Sequence, residues 1–97
     1  MQITYIANPV QPDLDRRITR LAFRMRFTFA EQCAIEAAAD TDVQVRVVVK
    51  NQDAASYIAL DAAEVSTGIA LLVSKSLLTP ARATHILTAD IQPHERP

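Results

Sequence analysis

TDVQVRVVVKNQDAA, residues 41–55, can be read in two ways, and the choice decides the fold. Val43, Val45 and Val47 alternate with Gln44 and Arg46, and five valines in seven residues suit a strand. Helical rules are met as well. Thr41-Asp42-Val43-Gln44 has the spacing of a capping box, and Asp42 is placed to meet the positive end of a helix dipole. Val45, Val48 and Val49 also share one helical face. The cap chemistry favours a short helix over about 42–52. The competing strand, at 43–50, would make the chain α+β with a second strand at 2–7.

The flanking sequence is helical in the same idiom. Thr28-Phe29-Ala30-Glu31 is a capping box, with Phe27 before the cap in position to staple against the first turn. The helix it opens runs through EQCAIEAAA and stops near Asp40, with Ala30, Cys33, Ala34, Ala37 and Ala38 at helical spacing on the expected core face. Asp61-Ala62-Ala63-Glu64 is a third box, followed by a stripe of Val65, Ile69, Leu72 and Val73. Thr79-Pro80 opens a last helix whose apolar face is Ala83, Ile86 and Leu87. Four capped starts predict an all-α fold, a small bundle of three to four short helices with an extended or partly helical N-terminal arm. The division is a lead and basic aromatic arm at 1–27, a helical body at 28–88 and a polar tail at 89–97 that Pro93 and Pro97 keep from being helical. The core should place Val65, Ile69, Leu72 and Val73 against Ala34, Ala37, Ile86 and Leu87.

The N-terminal part follows another pattern. QITYIA alternates, and the two prolines of NPVQPD force an extended path. In LAFRMRFTF an extended chain would put Leu21, Phe23, Met25, Phe27 and Phe29 on one side and Arg24 and Arg26 on the other. A helix through Ile18, Leu21 and Met25 competes with that reading.

Composition limits the function classes. Ninety-seven residues make one small domain, and much of the 49% hydrophobic content is alanine, so the core is thin. Cys33 has no internal partner and reads as a small core residue in a reducing compartment. The N-terminus lacks the basic start and long apolar run of a signal peptide, and the longest apolar run, IALLV at 69–73, is too short to span a bilayer. His85 and His94 lie nine apart and form no zinc-type spacing with Cys33; His85 reads as a surface or partly buried histidine. Ser66, Ser74 and Ser76 lack a nucleophile-elbow context. The single glycine, Gly68, excludes a phosphate-cradling loop and suits a close helix crossing instead. The sequence therefore predicts no enzyme, no cofactor and no metal.

Charge singles out the arm. Residues 16–26 hold five of the ten basic residues and no acid, while the remaining chain is mildly acidic. Arg16, Arg17, Arg20, Phe23, Arg24, Arg26 and Phe27 are the candidate partner-binding residues. Their guanidinium groups suit bidentate contact with an acidic protein surface, or phosphates with Phe23 and Phe27 stacking on bases. The structural alternative is an arm whose apolar side covers the core while its arginines stay solvated or pair with the acidic body. The acidic remainder disfavours nucleic acid.

RFTFAEQCAIEAAA and LDAAEVSTGIALLVSKSLLTPARATHIL together resemble a group of small phage and prophage proteins. Their pattern is an ITRLAF-like lead, an RFT-x-AE helix start, an Asp-initiated helix and a GLLTPERAAEIL-like end. The resemblance covers roughly residues 17–88 and favours helix for VQVRVVVKN. Such proteins belong to tail and tail-fibre gene neighbourhoods, which implies a non-enzymatic virion or assembly role through protein contacts. The implied partners are phage tail components or further copies of the chain, with no membrane, and the implied place is the bacterial host cytoplasm during assembly or the virion. A phage-encoded inhibitor or regulator of a host protein or nucleic-acid complex is the alternative. Ser76 departs from the pattern, standing where a glycine follows the third predicted helix, so a left-handed cap there is an open question. The first fifteen residues lie outside the resemblance.

Overall fold

The computed structural model describes residues 15–97 and resolves the two readings of the valine-rich stretch in favour of helix. The strand expected at 2–7 and most of the lead lie outside the described residues. In chain order the elements are β1 (Arg17–Ile18), α1 (Arg20–Met25), α2 (Phe29–Ala39), α3 (Val43–Ala54), β2 (Ile58–Ala59), α4 (Ala63–Ser74), α5 (Pro80–Thr88) and a 3₁₀ turn (Pro93–Glu95). The described residues form a small helical bundle with a two-stranded antiparallel ribbon, in which Arg17 faces Ala59 and Ile18 faces Ile58.

Helix α3 starts where Asp42 accepts hydrogen bonds from the amides of Gln44 and Val45, at 3.0 and 3.4 Å. The cap is thus Asp42 itself rather than the Thr41 box. The helical period splits the valines. Val45 is fully buried, Val48 and Val49 are half-buried, and Val43 and Val47 face outward. A strand would have sent Val43, Val45 and Val47 to one side.

Helix α2 begins at the expected box: the Thr28 amide donates to Glu31 Oε1 at 2.8 Å, and the Glu31 amide donates to Thr28 Oγ1 at 3.1 Å. Its expected core face is wrong. Ile35 and Ala39 are buried and Ala38 is half-buried, while Ala30, Cys33, Ala34 and Ala37 are exposed. Past the first residue, Phe29, the only large apolar side chain of the helix is Ile35, and its burial sets the rotation of the alanines around it. Of the expected core, Ile69, Leu72 and Ile86 are buried and Val65, Val73 and Leu87 pack against it, but Ala34 and Ala37 do not take part.

The third box is also corrected. Helix α4 is preceded by Ala62, which makes no side-chain cap bond, because a turn in which the Ala62 amide donates to Ala59 O at 3.0 Å carries the chain out of β2. Asp61 lies within that turn, one residue before the cap position. Gly68 sits where α4 crosses α3; a Cβ there would lie 3.3 Å from Val48 Cγ1. Thr79 caps α5 by accepting from the Arg82 amide at 3.1 Å, with Pro80 as the first helical residue.

Candidate protein-contact face

The basic arm is partly helical: Arg17–Ile18 form β1 and Arg20–Met25 form α1, so the extended path ends at Ile18. Thr19 stops β1 and caps α1, its hydroxyl accepting from the Ala22 amide at 3.0 Å. Helical spacing replaces the expected alternation. Ala22, Phe23 and Phe27 turn inward with Ile18, and the Phe23 and Phe27 rings meet edge to face at 5.3 Å between centroids. Leu21, Met25 and Phe29 turn outward and remain 65%, 63% and 80% exposed.

The arginines of the arm fall into two groups. Arg26 is almost fully enclosed. Its Nε and Nη2 donate to the two oxygens of Glu95 at 2.9 and 3.0 Å, and Nη1 donates to Ile86 O at 2.8 Å and Ala89 O at 3.1 Å. Arg16 donates to Leu87 O and Ala89 O at 2.8 and 3.2 Å. These two side chains satisfy carbonyls at the end of α5 that no further helical turn would meet, where the dipole favours a cation. Burial pushes the Glu95 carboxyl up, but the Arg26 bonds and the Gln92 amide outweigh it and hold the group below the ordinary carboxylate range.

The second group lies at the surface. Arg17 is bonded through Nε and Nη2 to Asp15, at 2.9 and 3.1 Å, and lies 5.5 Å over the Tyr57 ring. Hydrogen bonds from Arg17 hold the Asp15 carboxyl down at about 2. Arg20 donates to Asp53 O. Arg24 stands between Glu36 and Asp53 at 3.8 and 3.9 Å, too far for hydrogen bonds.

Among the seven residues singled out from the sequence, Phe23 and Phe27 are therefore core residues, and Arg16 and Arg26 hold α5 and the 3₁₀ turn. Arg20 and Arg24 flank the exposed Leu21 and Met25 along α1, while Arg17 lies in β1 against Asp15 and Tyr57. The sequence reading missed Leu21, Met25 and Phe29 as an outward set; the i, i+4 relation of Leu21 and Met25 was the available signal. On α2, Ala30, Cys33, Ala34 and Ala37 are exposed as well.

No group of three or more histidine, cysteine or carboxylate side chains among the described residues can hold a metal ion. No helix among them is long and apolar enough to cross a membrane. Comparison with family models, curated proteins and solved structures found no match.

Proposed function

We propose that the chain is a non-enzymatic protein-contact module of a phage particle or of its assembly, and that the α1–α2 face docks on the partner. The observation that carries this reading is the outward set Leu21, Met25 and Phe29. Three large apolar side chains are mostly exposed here, Leu21 and Met25 on α1 and Phe29 at the start of α2, whose other exposed residues are small and apolar apart from Glu36. Scattered exposed leucines need no explanation, whereas an apolar cluster bordered by arginines has the make-up of an interface centre and rim. The assignment to phage rests on the motif resemblance over residues 17–88.

The test replaces Leu21, Met25 and Phe29 together by serine and measures incorporation into purified particles by quantitative mass spectrometry. Stability should change little, because the three side chains are outside the core. Incorporation should fall at least tenfold. Equal incorporation of the folded variant would reject the face. Absence of the unaltered chain from particles and assembly intermediates would reject the phage structural role.

A further inference from the structure

The ribbon has an open edge. The Leu60 amide donates to Arg16 O at 2.9 Å, so Arg16 and Leu60 are a hydrogen-bonded pair of the antiparallel ladder. The next pair, Arg17 and Ala59, is then a non-bonded one, and the polar groups of its two backbones point away from each other. On the β1 side they are met: the Arg17 amide donates to Asp15 Oδ1 at 3.2 Å, and Arg17 O accepts from Arg96 Nη1 at 3.4 Å. On the β2 side Ala59 O accepts from the Ala62 amide at 3.0 Å, but the Ala59 amide has no partner among the described residues.

That edge borders a groove of about 1120 Å³ between α3, β2 and α4. Val48, Val65 and Leu71, all half-buried, supply its apolar lining, and Glu64 is the one charged side chain among the described residues that line it. Along α4 the lining runs from Ala62 to Leu71, about 13 Å at the helical rise, which is the length of roughly four residues of extended chain. A strand edge with an idle donor beside an apolar trough suits an added strand, which takes up the backbone groups and sets every second side chain into the trough.

The chain itself supplies a segment of that chemistry. Fourteen residues precede Asp15, and residues 1–12 carry no charged side chain. Ile3-Thr4-Tyr5-Ile6 lies in the alternating stretch, while Pro9 and Pro12, which lack amides for a ladder, fall in the connection. The register that pairs Arg16 with Leu60 brings the chain out of β1 at the end of β2 where Ala62, Ala63 and Glu64 rim the groove. From there to the outer edge of β2 is two strand spacings, about 10 Å, and the seven residues 8–14 reach up to about 23 Å.

We propose that Ile3–Ile6 of the same chain dock in this groove as a third strand on the outer edge of β2, parallel to it, with Ile3 and Tyr5 set against α3 and α4. The proposal is independent of the α1–α2 face, since Leu21, Met25 and Phe29 do not line the groove.

Hydrogen exchange of the full chain tests it. The Ala59 amide should exchange at least tenfold more slowly than in the double variant Ile3→Asp, Tyr5→Asp, while the Leu60 amide, bonded to Arg16, keeps its rate and reports an intact ribbon. A second measurement does not depend on that variant. With Cys33→Ser to remove the exposed native thiol, a nitroxide at Thr4→Cys should broaden the Ala59 amide and the Val65 and Leu71 methyl resonances. Equal Ala59 exchange in both proteins, or groove resonances left sharp by the nitroxide, overturns the proposal. Mixing the spin-labelled chain with isotope-labelled unmodified chain should leave the latter sharp. Broadening in that mixture would put the segment into the groove of a second copy and overturn docking within one chain.

Discussion

Ser76 shows how a single residue can be asked to do what its side chain disfavours. Helix α4 ends in a Schellman motif: the Leu77 amide donates to Leu72 O and the Ser76 amide to Val73 O, both at 2.9 Å. The residue between must be left-handed, and Ser76 has φ of 62°. Serine pays a steric cost there that glycine avoids. Ser76→Gly should therefore raise stability by about 0.5–1 kcal/mol after allowing for the greater freedom of glycine in the unfolded chain. A lowered denaturation midpoint would show that the serine side chain contributes something the strain argument omits. The opposite sign applies at Glu95, whose side chain is 9% exposed against Arg26 at 7%. Glu95→Ala leaves an enclosed guanidinium without its counter-charge and should cost roughly 3 kcal/mol. This pair was illegible in the sequence. Its members lie 69 positions apart, and nothing local marks either as a partner of the other.

At the scale of the element, cap chemistry was the readable signal and helix rotation was not. The Thr28 box, Thr79-Pro80 and the Asp42 start are local patterns of side chain and amide, so spacing alone exposes them. Thr28→Ala should cost on the order of 1 kcal/mol, and a melting temperature unmoved by the change would show that Glu31, held also by Arg82, secures the turn alone. Rotation of α2 was hidden because alanines occur all round it, and its two large apolar residues, Phe29 and Ile35, end up on opposite sides of the burial divide. The arm posed a related difficulty. Alternating large apolar residues and arginines suggested a period of two, against which the spacing of Ile18, Leu21 and Met25 and the Thr19 cap pointed to a helix. Hence the basic cluster was legible as a feature, while its division into structural and surface arginines depended on tertiary packing. Leu72, read from the stripe of α4, is 2% exposed, and Leu72→Ala should destabilise by about 2–5 kcal/mol in chemical denaturation.

The whole molecule is tied by two carboxylates that belong to long-range ion pairs. Arg82 donates to both oxygens of Glu31 at 2.9 Å, joining the starts of α2 and α5, and Arg26 holds Glu95 in the same bidentate way. Hydrogen bonds from Arg82 hold the Glu31 carboxyl below its ordinary range, burial opposing them; for Glu95 burial opposes the Arg26 bonds and loses. The sign follows from linkage. A depressed carboxyl contributes its full stability above its unfolded pKa, near 4.3 for glutamate, and loses it as pH falls through the lower folded value. Thermal stability should thus stay nearly level from pH 7 to about 5 and decline below about 4.3 as these groups are protonated. In Glu95→Gln, already destabilised at neutral pH, the further decline on acidification should be smaller. A parallel decline in both proteins would assign the acid sensitivity to other groups.

The bond between Arg26 and Glu95 also has a timetable. On the ribosome Arg26 emerges first, and its partner follows 69 residues later, roughly 3–14 s at ordinary rates of synthesis. During that interval a guanidinium meant for a dry, crowded niche must remain in water or accept provisional company. The nascent chain therefore passes through a stage in which the Arg20–Met25 segment has been synthesised but has no anchor, and a chaperone or protease that samples it then meets a different surface from that of the finished protein.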